Sequence, residues 1–203
     1  MFFLKRFFKK NRSLAMNKFL IVGLGNIGSE YENTRHNVGF RILDLLAETH
    51  TCTWEVKKLA SYTSFKKKGR QFVLIKPSTF MNRSGKALRH WALKENIPLQ
   101  NILVLADELN LPFGTLRMKG KGSPAGHNGL KDIESELNTP HYARLRFGIG
   151  AETKPLDQVK FVLDPWTPQE ETLLPERFKR CGEAIESFGL QGLQNTMNQF
   201  NGT

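Results

Sequence analysis

Cysteine, acidic charge and long apolar runs are all scarce in this chain of 203 residues, and each scarcity removes a class of explanation. The two cysteines, Cys52 and Cys181, show no metal or redox spacing and cannot build a disulfide framework. They read as reduced thiols of a cytoplasmic protein. The longest apolar stretches, such as Ile102 to Ala106, fall far short of the roughly 20 residues that a membrane-spanning helix needs. No serine sits in a nucleophile elbow, no cysteine is paired with histidine in a local signature, and no group of residues has metal-ligand spacing. No metal and no cofactor are therefore expected. Repeats and low-complexity segments are also missing.

What is present is globular. Hydrophobic residues make up 39% and charged residues 24%, enough for one ordinary domain with a real core. Thirty lysines and arginines against nineteen acids give a net charge of +11, which points toward an anionic partner. The first fifteen residues hold five of those bases (Lys5, Arg6, Lys9, Lys10, Arg12) and no acid, so the bias survives without them. That stretch, MFFLKRFFKKNRSLA, lacks the continuous apolar region of a secretory signal. Its phenylalanines among lysines would suit a basic amphipathic helix. The simpler expectation is that residues 1–15 are an extension outside the fold, disordered or untranslated, with the domain spanning 16–203.

Along the chain, Lys18 to Val22 reads as a buried strand, and Val38, Ile42, Leu45 and Leu46 recur at helical spacing to about Thr49. Ser61 to Lys67 and Gln71 to Ile75 form a hairpin across Lys68-Gly69, ended by Pro77. Ala87, Leu88, Trp91 and Ala92 mark a helix running to about Glu95. Asn101 to Ala106 reads as a central strand, Thr115 to Lys119 as a shorter basic one, and KGKGSPAG as a flexible loop. A helix over Asn128 to Leu137, a strand over Tyr142 to Gly150, and helices from Thr167 with a break at Gly189 complete the pattern. The alternation predicts an α/β fold: a single domain with a twisted mixed, largely parallel sheet flanked by helices.

Gly23-Leu24-Gly25-Asn26-Ile27-Gly28 follows a strand and imitates a dinucleotide-binding loop. In such a loop the glycines open a helix whose N-terminus holds the pyrophosphate, and an acid about twenty positions on ends a second strand. Here SEYENT is polar with no apolar stripe, and Asp44 and Glu48 fall inside the first helix. The cofactor reading fails on context.

Three polar motifs instead fall at carboxyl ends of strands, where open α/β sheets gather their ligands. Asn26 lies just beyond the first strand, Asn82 in KPSTFMNRSGK beyond the strand ending at Ile75, and Asp107 in LADELNLP at the tip of the central strand. Each alone is a common turn former or cap. His36 opens one helix and Gly126-His127-Asn128-Gly129 another. A helix N-terminus favours a neutral imidazole, and an acid such as Asp107 reaching its far nitrogen would make it a base. One histidine, one aspartate and several amides can activate water and hold a carbonyl. Hydrolysis of an activated acyl compound by direct water attack fits that set.

These motifs closely resemble one family, bacterial peptidyl-tRNA hydrolase. The matching stretches are FLIVGLGNIGSEYENTRHNVGF, KPSTFMNRSGKAL, ADELNLPFGTLRMK, AGHNGLKDI and ARLRFGIG, which follow the family's order from Lys18 to about Pro165. The resemblance implies His36 as the general base, Asp107 as its orienting partner, and Asn26 as the group that separates peptidyl or blocked aminoacyl esters from free ones. It implies that Tyr31, Phe80, Asn82 and Asn128 contact the tRNA end or the peptide backbone. Arg117, Lys119 and Arg146 would meet phosphates, with Lys121 a further candidate. It implies peptidyl-tRNA as partner, no membrane, and a monomer without an obligate protein partner. Ile27 stands where the family usually has proline, Ala106 where a histidine is frequent, and Ser123-Pro124-Ala125 where the lid is richer in glycine. No proposed catalytic group is lost. A non-enzymatic RNA-binding relative would keep the basic surface but lose the water-activating set, and a generic esterase would leave the basic rim unused.

Overall fold

A computed structural model describes residues 17–150 and 155–203. The extension 1–15 lies outside the described residues. Seven strands form one mixed sheet: β1 (Lys18–Gly23), β2 (Glu55–Lys57), β3 (Ala60–Lys67), β4 (Arg70–Pro77), β5 (Ile102–Pro112), β6 (Leu116–Lys119) and β7 (Ala143–Gly150). Their order is β2-β3-β4-β1-β5-β7-β6. The inner block β4-β1-β5-β7 is parallel throughout, and the antiparallel pairings β2/β3, β3/β4 and β6/β7 lie toward the edges. All four inner strands therefore end on one side of the sheet, where the polar motifs are expected.

Period-two alternation feeds two cores. Phe19, Ile21, Leu103 and Leu105 face one layer, while Leu20, Val22, Ile102 and Val104 face the other. The first layer is covered by α1 (Val38–Thr49), and the second by α2 (Ser84–Lys94) and α3 (Asn128–Leu137). A short helix α4 (Gln158–Leu163) precedes the long α5 (Pro168–Gln191) and α6 (Leu193–Phe200), which join α1 on the first face. Thr167 and Glu170 close a reciprocal capping box at the start of α5. At the β6 edge, the Leu116 N–H donates to the Thr203 carbonyl, Gly202 N–H donates to the Leu116 carbonyl, and the Asn201 side chain bonds both backbone groups of Met118.

Several details differ from expectation. The long helix does not break at Gly189, where an added Cβ would sit 2.4 Å from the Phe72 ring; that glycine serves packing. The break falls at Gly192, with φ of 83°. Strand β5 runs past Asp107 to Pro112, with a register irregularity after Glu108, so the carboxylate stands inside the ladder opposite Phe147 and not at the strand tip. Gly148 and Gly150 permit this extension, since Cβ atoms there would meet the carbonyls of Pro112 and Leu109. Strand β2 and helix α4 have no counterpart among the sequence expectations: three and six residues carry too little periodicity to register.

The glycine-rich loop also finds its reason here. A Cβ on Gly23 would lie 2.3 Å from the Gly39 carbonyl oxygen, and one on Gly39 would lie 2.4 Å from the Leu24 nitrogen. The two glycines let the start of α1 rest directly on the end of β1. That close approach carries His36 to the sheet.

Candidate active site

Thr34-Arg35-His36-Asn37 forms a tight turn into α1, and each of its buried residues is tied down. The Asn37 side chain accepts from Asn26 N–H at 2.8 Å and donates to the Asn26 carbonyl at 2.9 Å. Arg35, 4% exposed, donates to the carbonyls of Phe161, Asp164 and Pro165 and to the Glu170 carboxylate. Its guanidinium also lies over the Phe161 ring, 4.3 Å from the centroid. The turn bearing His36 is thereby clasped to α4, a segment with little helical signal in the sequence. Asp157 before Val159, Val162 and Leu163 is the one available sign, a cap ahead of helical spacing.

His36 Nδ1 lies 2.9 Å from Asp107 Oδ1, and His127 Nε2 lies 3.0 Å from the same oxygen. His127 caps α3, its Nδ1 accepting from the N–H groups of Gly129 and Leu130. That acceptance places the His127 proton on Nε2, aimed at the carboxylate. Asp107 thus receives two imidazole N–H bonds, and His36 keeps Nε2 as a lone pair with no hydrogen-bond partner among the described residues. The sequence marks His127 only as a helix opener; the GHNG motif is visible there, but its reach back to Asp107 is not.

Burial, the largest influence on His36, works against its charged form, but the charge and hydrogen bond of Asp107 outweigh it and raise the pKa above the ordinary 6.5. Burial also pushes the Asp107 carboxyl upward, and the two imidazoles beside it more than reverse this, holding it below the usual carboxylate range. The three groups offer ligand atoms within 4.8 Å of one another. A metal there would need the His127 Nε2 proton removed, forcing protonation of an Nδ1 that faces two backbone donors at a helix N-terminus. The donor chemistry favours a hydrogen-bonded relay.

Around the imidazole lies a cleft of about 370 Å³, lined by Asn26, Phe80, Asn82, Asp107, Asn128 and the α4 residues Val159 and Val162 among others. Asn26 Oδ1 accepts from the Met81 N–H at 2.8 Å, leaving its amide N–H₂ as donor. Phe80 stands on the rim, 55% exposed. Tyr31 lies apart, in the turn Ser29–Tyr31, and lines neither this cleft nor the cavities beside it. A second cavity of about 190 Å³ opens from the cleft through Glu108, Asn110 and Ala125, and Arg117, Lys119 and Lys121 line it.

Within that basic cavity the cations divide. Arg117 faces Arg146 and Lys119 faces Arg144 across β6 and β7, a like-charge pairing that needs compensation. Glu108 pairs with Arg146 and Glu134 with Arg144, and both arginines hold loop carbonyls at Gly122 or Ser123. Arg146, expected to meet phosphate, lines this cavity while bonded to Glu108 and to the Ser123 carbonyl of the loop. Arg117 and Lys119 are exposed and have no ion-pair partner among the described residues. Replacing both by glutamine is expected to raise KM for full-length tRNA esters and to lessen the slope of log KM against log salt by about one for each phosphate no longer engaged. An unchanged slope would move the phosphates elsewhere on the surface.

An open α/β sheet with a carboxylate-held imidazole and surrounding amides presents the groups found in hydrolases that act on activated carbonyls. A sequence model described as peptidyl-tRNA hydrolase matches residues 20–203. The chain belongs to the peptidyl-tRNA hydrolase family. It is 54% identical to the peptidyl-tRNA hydrolase of Bacteroides fragilis over 184 residues, covering 91% of this chain and 98% of that one. It is 52% identical to that of Porphyromonas gingivalis, covering 91% and 100%. Among solved structures, peptidyl-tRNA hydrolase from Acinetobacter baumannii is 33% identical with a TM-score of 0.83, over 92% of this chain and 95% of that one.

Proposed function

We propose that this chain hydrolyses the ester joining a peptide to the terminal ribose of transfer RNA, with His36 as general base. The observation that carries the reading is the sharing of one carboxylate oxygen by two imidazoles, which leaves only His36 with a lone pair toward the cleft. A water held by Nε2 gives up its proton as its oxygen attacks the ester carbonyl carbon. Asp107 stabilises the imidazolium so formed, and the amides of Asn26, Asn82 and Asn128 are the side-chain donors at hand for the oxyanion. When the tetrahedral adduct collapses, the carbon–oxygen bond to ribose breaks and His36 returns the proton to the leaving oxygen. The peptide is released as an acid that gives its remaining proton to solvent. No covalent enzyme intermediate is involved.

The Asn26 amide would read the acylated nitrogen of the substrate, favouring peptidyl or blocked aminoacyl esters. Phe80, Asn82 and Asn128 would hold the tRNA end or the first peptide unit. Arg117, Lys119 and Lys121 would meet phosphates, positioning without reading sequence. Arg146 supports them by holding Glu108 and Ser123, and Tyr31 would serve outside the cleft. We take the working unit to be a monomer. No helix among the described residues is long and apolar enough to cross a membrane. We place the activity in the cytoplasm, with residues 1–15 dispensable.

The test compares N-acetyl-aminoacyl-tRNA with free aminoacyl-tRNA, using the full chain and one starting at Met16. Both proteins should release the blocked amino acid rapidly and spare the free ester. Equal hydrolysis of both esters would refute the assigned substrate, and loss of activity in the shorter protein would give the extension a function.

A further inference from the structure

One cavity beside the imidazole cleft is larger than the cleft itself. A groove of about 600 Å³ lies on the other side of Asn26, which lines both spaces. Three cavities therefore follow one another: the basic one, the catalytic cleft, and this groove. Their linings differ in charge. The basic cavity carries five cationic side chains and the single acid Glu108. The groove carries three acids, Glu32, Asp44 and Glu48, and two cations, Arg41 and Lys76. Both of those cations are already paired, Arg41 with Glu171 through two hydrogen bonds and Lys76 with Asp44. A phosphate entering the groove would find carboxylates and no unpaired cation among its lining residues.

The rest of the lining suits a polypeptide. Phe40, Ile27 and Pro175 offer apolar surface, and Ser61, Ser78 and Asn33 offer groups that can bond a backbone. Ile27 is 40% exposed, in the position where proline is frequent in the resembling family. Gly25 keeps the Phe40 ring close to the loop, since a Cβ there would sit 2.8 Å from the ring. Apolar surface with scattered polar groups holds many sequences at modest cost in specificity.

We propose that this groove receives the part of the peptide that lies beyond the residue esterified to tRNA, so that the substrate spans the molecule from a cationic RNA end to an acidic peptide end. The proposal rests on the assigned hydrolysis and adds a second binding region to it. Contacts in the groove that hold ground and transition states equally show in KM with kcat unchanged. Acidic lining should also favour peptides with lysine over peptides with aspartate at positions past the first.

The experiment uses the whole chain and three substrates on one tRNA: an N-acetyl-aminoacyl ester, and two tetrapeptidyl esters that end in the same amino acid and differ by lysine or aspartate upstream. Wild-type protein should show a lower KM for the lysine peptide than for either other ester. Ser61→Trp, which narrows the groove, should raise KM for the tetrapeptidyl esters about tenfold while changing the N-acetyl ester by less than about twofold. Glu48→Lys, on an exposed position of α1, should reverse the lysine–aspartate order and leave the N-acetyl ester alone. Equal KM for all three esters in the wild type would overturn the proposal, as would parallel losses on every ester in Ser61→Trp. Should Ser61→Trp lose its cooperative melt, the Glu48→Lys order decides alone. Failure of the hydrolase reading is separate: the wild type would then cleave none of the three.

Discussion

His36→Ala is expected to lower kcat for N-acetyl-aminoacyl-tRNA by about 10²- to 10⁴-fold, the range that a positioned general base contributes. Binding of tRNA should persist, because His36 contributes no positive charge to the basic cavity. The size of the loss follows from the uniqueness of its lone pair. His127 sits against the same carboxylate, but its Nδ1 is occupied by two backbone donors and its Nε2 proton by Asp107. It cannot substitute as base without undoing the cap of α3. Single-turnover hydrolysis alongside equilibrium tRNA binding separates the two quantities. A variant retaining full kcat would dismiss His36 from the chemistry.

Asp107→Asn has the second largest expected effect and the more informative pH profile. The amide keeps one oxygen for the two imidazole donors, but removes the charge that stabilises a protonated His36. About a 10²-fold fall in plateau kcat is expected. The sign of the pH effect is fixed by what raises the His36 pKa. Burial lowers it, and the charge and hydrogen bond of Asp107 raise it further than burial lowers it. A base must be unprotonated, so wild-type kcat/KM climbs as pH rises through a value above 6.5. In Asp107→Asn the charge that raises the pKa is gone while burial still lowers it, and the acid limb should move to lower pH. Stability runs the opposite way in the wild type. The raised His36 pKa contributes stability that is complete below 6.5 and fades as pH rises through the folded value. The depressed Asp107 carboxyl contributes above 3.8 and loses its contribution as pH falls through its folded value. An acid limb unmoved by the substitution would mean that a different group titrates there.

Much of this site is legible in the sequence alone. Asn26, Asn82 and Asp107 are marked by motif and by position near strand ends, His36 and Asn128 by motifs that open helices, and all five line one cleft. The parallel block of strands explains why: it delivers residues far apart in sequence to the same sheet edge. What stays hidden depends on side chains crossing between elements. Nothing near His127 indicates that its ring reaches Asp107 twenty positions back, or that Arg35 grips the carbonyls of Phe161 and Pro165. Arg146 carries the same basic signal as Arg117, and only the β5–β7 pairing, which brings Glu108 beside Arg146, tells the two apart. Periodicity likewise cannot see α4, whose six residues make fewer than two turns.

One margin of the sheet is a poor template for a further strand: β6 is bonded by residues 201–203 and so presents no long row of bare peptide groups. A fusion partner joined after Thr203 would pull on the strip that also steadies Arg117 and Lys119, and a purification handle is better attached at the opposite terminus.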